Sequence, residues 1–315
     1  MVRIEDDLKT VFSGDPGRSA ICLGNFDGVH LGHAALLQKN DQEAKERGLC
    51  RRIVTFEPHP RILMKDPTFR LIESRELKTA HLESLQLADE IIFEQFDDHL
   101  MHMAPEDFFE EILLSRYHAE LITVGDDFHF GDHGKGDAAL LQRMAEKHGV
   151  TVLIVPRIRL EGEFVSSSRI REALENGQME LAEKLMGRTY ELGAVVSQGK
   201  HVGRKLQAPT VNMLFEEEMV VPRHGVYVSE ICLEDGQIFQ GVSNVGINPT
   251  FGREKPRIET YIFDFHEDLY GKKIIVRLLK FLRPERKFES AEALKEQIGK
   301  DINEAKCFYE ERLKQ

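Results

Sequence analysis

Two histidines three residues apart, His30 and His33, stand in the segment GNFDGVHLGH (Gly24–His33), directly after the short apolar run Ser19–Gly24. A strand that ends in a glycine-bearing loop and then starts a helix turns bare backbone N–H groups and the positive helix end toward one point, which suits a phosphate. With the helix opening at about His30, imidazoles at i and i+3 share a face and reach the same anion. Against a triphosphate, such a pair would neutralise the charge that builds up when the α-phosphorus is attacked. An isolated H-x-x-H fits a metal pair or two surface histidines equally well; the setting after a strand, between glycines, favours the anion.

Further along, VSSSRIR (Val165–Arg171) runs three hydroxyls, Ser166, Ser167 and Ser168, into a helix and offers the planar guanidinium fork of Arg171 to phosphate. As a bare pattern it also fits an N-cap serine with an exposed arginine. In VGDDFHFG (Val124–Gly131) glycines bracket a loop after a strand, the edge where open α/β sheets bind ligands, although a plain turn reads as well. TFEPHP (Thr55–Pro60) ends another strand at that edge.

The later part of the chain carries a second set. SQGKHVGRK (Ser197–Lys205) offers Gly199 and Gly203 with basic groups, among them Arg204 and Lys205, enough for backbone and charge contacts to a polyphosphate. It is not a Walker A loop: five residues rather than four separate Gly193 from Gly199, and His201 follows Lys200 where Ser or Thr is required. After Pro209, Thr210 and Asn212 are two apart and therefore on one side of a strand. Their oxygens suit Mg²⁺ beside nucleotide phosphates, or form a solvated polar pair. Glu259, in IETYIFDF, falls on one face of an alternating strand, either solvated or placed as a general base.

The elements that must position these groups change in kind along the chain. Short apolar runs at Ser19–Gly24, Arg52–Phe56, Glu90–Phe93, Glu120–Val124 and Thr151–Val155 alternate with helical patterns at about His30–Arg47, Ser74–Leu87, Pro105–Arg116 and Asp137–His148. That alternation predicts a doubly wound parallel sheet in an α/β domain. Pro105 suits a first helical turn. After about Leu185, strand-like runs follow one another: Tyr190–Val196, Thr210–Phe215, Gly225–Leu233, Gln237–Val245, Glu259–Phe265 and Lys273–Phe281, with an Asp-Gly hairpin signal in Glu234–Gln237. Six such runs predict an antiparallel barrel or sandwich. A final helix carries the stripe Leu294, Ile298, Ile302, Ala305, Tyr309, read as core packing. The boundary falls between Ala182 and Tyr190, giving domains 1–185 and 186–315.

With 315 residues, 41% hydrophobic and 30% charged, the chain is long enough for two packed domains and is neither disordered nor fibrous. A net charge of -12 argues against nucleic acid or an anionic membrane as partner, not against a small anion in a local basic pocket. Cys22, Cys50, Cys232 and Cys307 form no C-x-x-C pair and read as free thiols in a reducing compartment. The N-terminal MVRIEDDLKTVF has no apolar signal region, and no run approaches the ~18 apolar residues of a membrane span. A cytoplasmic protein is expected; the oligomeric state is not legible.

GNFDGVHLGH resembles the first nucleotidyltransferase signature of the bifunctional bacterial riboflavin kinase/FAD synthetases. TFEPHP, VGDDFHFG and VSSSRIR are similar to the later adenylyltransferase motifs of that family. GRKLQAPTVN (Gly203–Asn212), GVYV (Gly225–Val228), GVSNVGINPTF (Gly241–Phe251) and IETYIFDF…DLYG (Ile258–Gly271) are similar to its kinase motifs. The resemblance implies a Rossmann-like nucleotidyltransferase domain followed by a six-stranded antiparallel β-barrel with a C-terminal helix. It implies that riboflavin is phosphorylated by ATP to FMN in the second module, and FMN adenylylated to FAD in the first, with Mg²⁺.

By the same resemblance, Gly24, Asn25, Phe26, Asp27, Gly28, His30, His33, Ser166, Ser167, Ser168 and Arg171 would hold ATP in the first module. Thr55, Phe56, Pro58, Asp127 and Phe128 would line its flavin site. Gly199, Gly203, Arg204, Lys205, Pro209, Thr210 and Asn212 would hold ATP in the kinase, with Thr210 and Asn212 on Mg²⁺ and Glu259 as the base for the riboflavin 5′-hydroxyl. One departure stands out: Gln207-Ala208 replaces the usual Gly-Phe before Pro-Thr. A single-activity adenylyltransferase with a weakened kinase, or a non-catalytic flavin-nucleotide binder, are the alternatives to a two-step enzyme.

Overall fold

The computed structural model describes residues 2–6, 17–197, 210–247 and 256–313. The chain parts into two compact units, one of Met1–Phe69 with Arg75–Ser166 and one of Arg70–Ser74 with Ser167–Gln315.

In the first unit six strands form one parallel sheet: β1 (Arg3–Asp6), β2 (Ser19–Leu23), β3 (Cys50–Glu57), β4 (Glu90–Gln95), β5 (Ala119–Gly125) and β6 (Thr151–Val155), in the order β1-β4-β3-β2-β5-β6. Strand β2 is nearly all apolar, and every one of its residues is buried, as expected for a strand covered on both faces. Alternate residues serve two cores. Ile21 and Leu23 pack with Phe109, Ile122 and Val124, whereas Cys22 packs with Phe26, Leu37, Ile53 and Phe93. From β2 the chain steps to β3 and β4 on one side, then returns to β5 and β6 on the other. The switch point therefore lies between β2 and β5, where open sheets hold their ligands beyond the strand ends.

Helices α1 (Leu31–Arg47), α2 (Arg75–Ser84) and α3 (Ala138–Lys147) connect these strands. A further segment begins with Pro105 in its first turn and is π-wound over Phe108–Arg116. Strand β1 is not predicted by the hydrophobic pattern, because RIED holds one apolar residue; its parallel pairing with Glu90–Phe93 makes it a strand.

In the second unit α4 (Ser167–Glu175) and α5 (Met179–Met186) precede six antiparallel strands: β7 (Tyr190–Val195), β8 (Thr210–Leu214), β9 (Gly225–Leu233), β10 (Ile238–Ile247), β11 (Pro256–Ile262) and β12 (Lys273–Pro284), in the order β7-β12-β9-β10-β11-β8. The sheet curls: the Ser197 N–H donates to the Asn212 carbonyl at 2.8 Å, linking the chain beyond edge strand β7 to edge strand β8. Inward residues such as Tyr227, Ile231, Val245, Ile258 and Val276 are buried, and a hydroxyl row, Ser229–Ser243–Thr260, is joined at 2.7 Å per step. The predicted hairpin turn is present, with the Leu233 N–H donating to the Gln237 carbonyl at 2.9 Å.

Helix α6 (Ala291–Arg312), capped by Ser290, packs Ala305 and Tyr309 against Val228, Phe263 and Leu279, with Ile302 partly buried beside them. Leu294 and Ile298, earlier in the predicted stripe, are half-buried. All four cysteines are free. Among the described residues no helix is long and apolar enough to cross a membrane.

Candidate functional sites

The loop after β2 is set by sequence and strain together. Phe26 is fully buried although its φ is 49°, and Val29 is buried at φ 29°. Burial of one such side chain contributes about 1.5–3 kcal/mol, enough to offset the roughly 1–3 kcal/mol cost of a left-handed non-glycine residue. Gly28, at φ 83°, makes the turn between them without that cost.

The structure differs from the sequence reading in where His30 sits. Helix α1 starts at Leu31, and His30 is its N-cap, in extended conformation. His30 Nδ1 accepts from the His33 N–H at 3.2 Å, and His33 Nδ1 accepts from the His30 N–H at 3.3 Å. The rings lie parallel, centroids 3.6 Å apart. This is a reciprocal capping box built from two imidazoles in place of the usual hydroxyl and carboxylate. It also fixes the tautomer: a ring nitrogen that accepts carries no proton, so each neutral ring bears its hydrogen on Nε2. The Phe26 ring stands edge-on to His33, 5.1 Å away.

Two groups fasten the loop from outside. Thr55 Oγ1, in β3, donates to the Asn25 carbonyl at 3.0 Å. Lys78 Nζ, in α2, donates to the same carbonyl at 3.3 Å, with Lys78 only 3% exposed and its ammonium over the Phe93 ring. Sequence reasoning missed Lys78, since a lysine in an amphipathic helix reads as solvated. Asp27 is buried and Asn25 exposed.

Two other motifs of the first unit, TFEPHP and VGDDFHFG, end strands of the same sheet. In TFEPHP the Phe56 ring packs on Phe96, the Glu57–Pro58 peptide is cis, and His59 caps the following turn. After β5, Asp126 pairs with Arg157 at 2.9 Å and Asp127 lies 3.6 Å from the same guanidinium, while Phe128 stacks on Phe130. Asp127 is thus an exposed, ion-paired side chain. Ser166 closes the first unit. Ser167, Ser168 and Arg171 open α4 in the second, where Arg171 Nε donates to the Arg70 carbonyl at 2.5 Å.

In the second unit the register builds a polar row. Asn212 of β8 lies directly opposite Glu259 of β11, and Glu259 opposite Asn244 of β10. Directly opposed residues share a sheet face, and Thr210 shares it too, two residues from Asn212. Asn244 was not singled out from the sequence; only the strand register brings it there. Its Nδ2 donates to Glu285 Oε1 at 3.0 Å. A Cβ on Gly246 would stand 2.1 Å from that oxygen, so the glycine makes room for the second carboxylate.

Burial raises the pKa of Glu259 above the usual carboxylate range; Arg257 opposes this and the Glu285 charge adds to it. The Thr210 hydroxyl and the Asn212 amide oxygen are hard oxygen donors, which fits Mg²⁺. Gly199, Gly203, Arg204, Lys205, Pro209 and the Gln207-Ala208 departure lie outside the described residues, as do the last residues of GVSNVGINPTF.

A parallel sheet with a strained, capped loop at its switch point, followed by a curled antiparallel sheet with a carboxylate row, describes a two-module nucleotide-dependent transferase. The sequence matches the family model for FAD synthetase over residues 13–169 and that for riboflavin kinase over residues 186–309. It is 36% identical over 292 residues to a bifunctional riboflavin kinase/FMN adenylyltransferase of Haemophilus influenzae, covering 92% of this chain and 94% of the relative. Its identity to the protein of the same description from Bacillus subtilis is 35% over 298 residues, 92% of each chain. A solved structure described as a macrolide-efflux protein from Streptococcus pneumoniae has the same fold, with a TM-score of 0.87 at 28% identity over 97% of this chain and 99% of that one. The chain belongs to the bifunctional riboflavin kinase/FMN adenylyltransferase family.

Proposed function

We propose that the chain makes FAD from riboflavin in two ATP-dependent steps with separate machinery, the kinase in residues 186–315 and the adenylyltransferase in residues 1–185. Family membership over both halves supports the two activities, with riboflavin, FMN, FAD and ATP as substrates and products.

For the kinase, the observation that carries the assignment is the direct cross-strand opposition of Asn212 and Glu259. Thr210 and Asn212 would hold Mg²⁺, which when bound draws charge off the nucleotide phosphates. Glu259 takes the proton of the riboflavin 5′-hydroxyl as that hydroxyl's oxygen attacks the γ-phosphorus, whose bond to the β,γ-bridging oxygen breaks to release ADP. Its raised pKa makes it a stronger base than a solvated glutamate, and Asn244 and Glu285 border it on the same face.

For the adenylyltransferase, the FMN phosphate is already an anion and needs no base. The loop after β2 therefore acts by positioning and by charge. Its amides and the Nε2–H side of the two imidazoles are the donors offered to the α-phosphate and the pyrophosphate leaving group. Thr55 and Lys78 keep the loop in place through the Asn25 carbonyl. Phe56, Pro58, Asp127 and Phe128 for the flavin, and Ser166, Ser167, Ser168 and Arg171 for ATP, are assigned on the family resemblance.

The test is product chromatography from riboflavin plus Mg-ATP. His30→Asn keeps a good N-cap while removing the imidazole, so it should stop FAD formation and leave FMN formation. Glu259→Gln should stop FMN formation while FAD still forms from supplied FMN. A single substitution that silences both steps would refute separate machinery.

A further inference from the structure

We propose that His102, Asp132 and His133, residues assigned to neither nucleotide centre, form a binding site for a late first-row divalent ion of the zinc class. Their ligand atoms all lie within 4.8 Å of one another. His102 Nδ1 stands 3.1 Å from Asp132 Oδ1, and His133 Nε2 stands 3.5 Å from that same oxygen. Three atoms each ~2.1 Å from one ion are separated by about 3–3.5 Å in tetrahedral or octahedral geometry, so these spacings leave an ion's place between them.

The rest of the local structure supports this reading. The other carboxylate oxygen, Oδ2, is held by Lys135 Nζ at 2.7 Å, which orients the carboxylate and directs Oδ1 toward the two rings. His133 is exposed yet holds a left-handed backbone, φ 55° and ψ 23°, a conformation that costs a non-glycine residue and here turns its ring to Asp132. The two segments are already joined, since the Asp132 N–H donates to the Met103 carbonyl at 2.7 Å.

Two imidazoles and one carboxylate are the donors of Zn²⁺, Co²⁺ and Ni²⁺; Mg²⁺ prefers an oxygen shell. The exposed rings leave the remaining positions to water. A bound ion would clip the Gly131–Gly134 turn to His102, and so steady the short hairpin in which His129 and Phe130 pair with Asp137 and Gly136.

The experiment uses the full chain, stripped with a chelator that is then removed, and titrates it with Co²⁺ followed by visible absorption and equilibrium dialysis. One equivalent with a ligand-field band, displaced by Zn²⁺, is expected. His133→Gly suits the left-handed backbone, so the fold is kept while the ligand is lost; it should weaken Co²⁺ binding at least tenfold, and His102→Gln should do the same. Zn²⁺ should raise the unfolding temperature of the parent and not of His133→Gly. No bound Co²⁺ in the parent, or binding unchanged in both variants, overturns the proposal.

Discussion

The two candidate centres are built on opposite principles. In the first unit the proposed chemistry hangs on a loop beyond the strand ends, kept in shape by buried aromatic packing, two left-handed non-glycine residues and a reciprocal imidazole cap. In the second unit it lies on a sheet face, where strand register alone brings Asn212, Glu259 and Asn244 into line. A loop site fails when its fastenings fail; a register site fails only when the reacting group itself is removed or the strands slip.

The largest effect should come from the register site. Glu259→Gln leaves the row intact and removes the base, so FMN formation should fall by ~10²–10⁴ with the unfolding midpoint nearly unchanged. The loop site should respond to a residue outside the loop. Lys78→Met removes a charged hydrogen bond worth about 1.5–3 kcal/mol from the Asn25 carbonyl. FAD formation should drop by roughly 10–100-fold, and FMN formation should hold, as the same chromatographic assay will show. If Lys78→Met leaves FAD formation intact, the loop does not depend on its fastenings and the contrast fails.

Acidity sharpens the comparison next. A base works only when ionised, so FMN formation should fall as pH drops through the Glu259 pKa. Because that pKa is raised, the acid limb should lie above the ~4.3 of an ordinary glutamate. Glu285→Gln takes away a like charge, lowers that pKa and should move the limb to lower pH. The smallest effect is purely structural: Ser290→Ala deletes the cap of α6, costs about 1 kcal/mol, and lowers that unit's unfolding temperature by about 2–4 °C with both activities kept.

These contrasts also explain what could be read from residues alone. Runs such as SAICL and GVYVSEICL announce strands because burial demands apolar residues there, and the six later strands fall close to their expected bounds. RIED announces nothing, because only its neighbour makes it a strand. The spacing of His30 and His33 was visible, but a helical reading put both on one face; that the first is the cap of the second depends on φ and ψ at a single residue. Asn244, Glu285 and Lys78 were invisible for one reason: each gains its place from a segment distant in sequence, through register or packing, and neither leaves a local pattern.

The paired imidazoles carry a consequence for proton traffic. Because each Nδ1 is spent on the other residue's amide hydrogen, a proton arriving there must displace a bond that starts helix Leu31–Arg47. Charging either ring on that side would fray the first turn of that helix. A ring that already holds its hydrogen on Nε2 has no second place for a proton, so while the helix start holds it can donate but not accept, and the helix itself acts as the latch that keeps the near nitrogen closed.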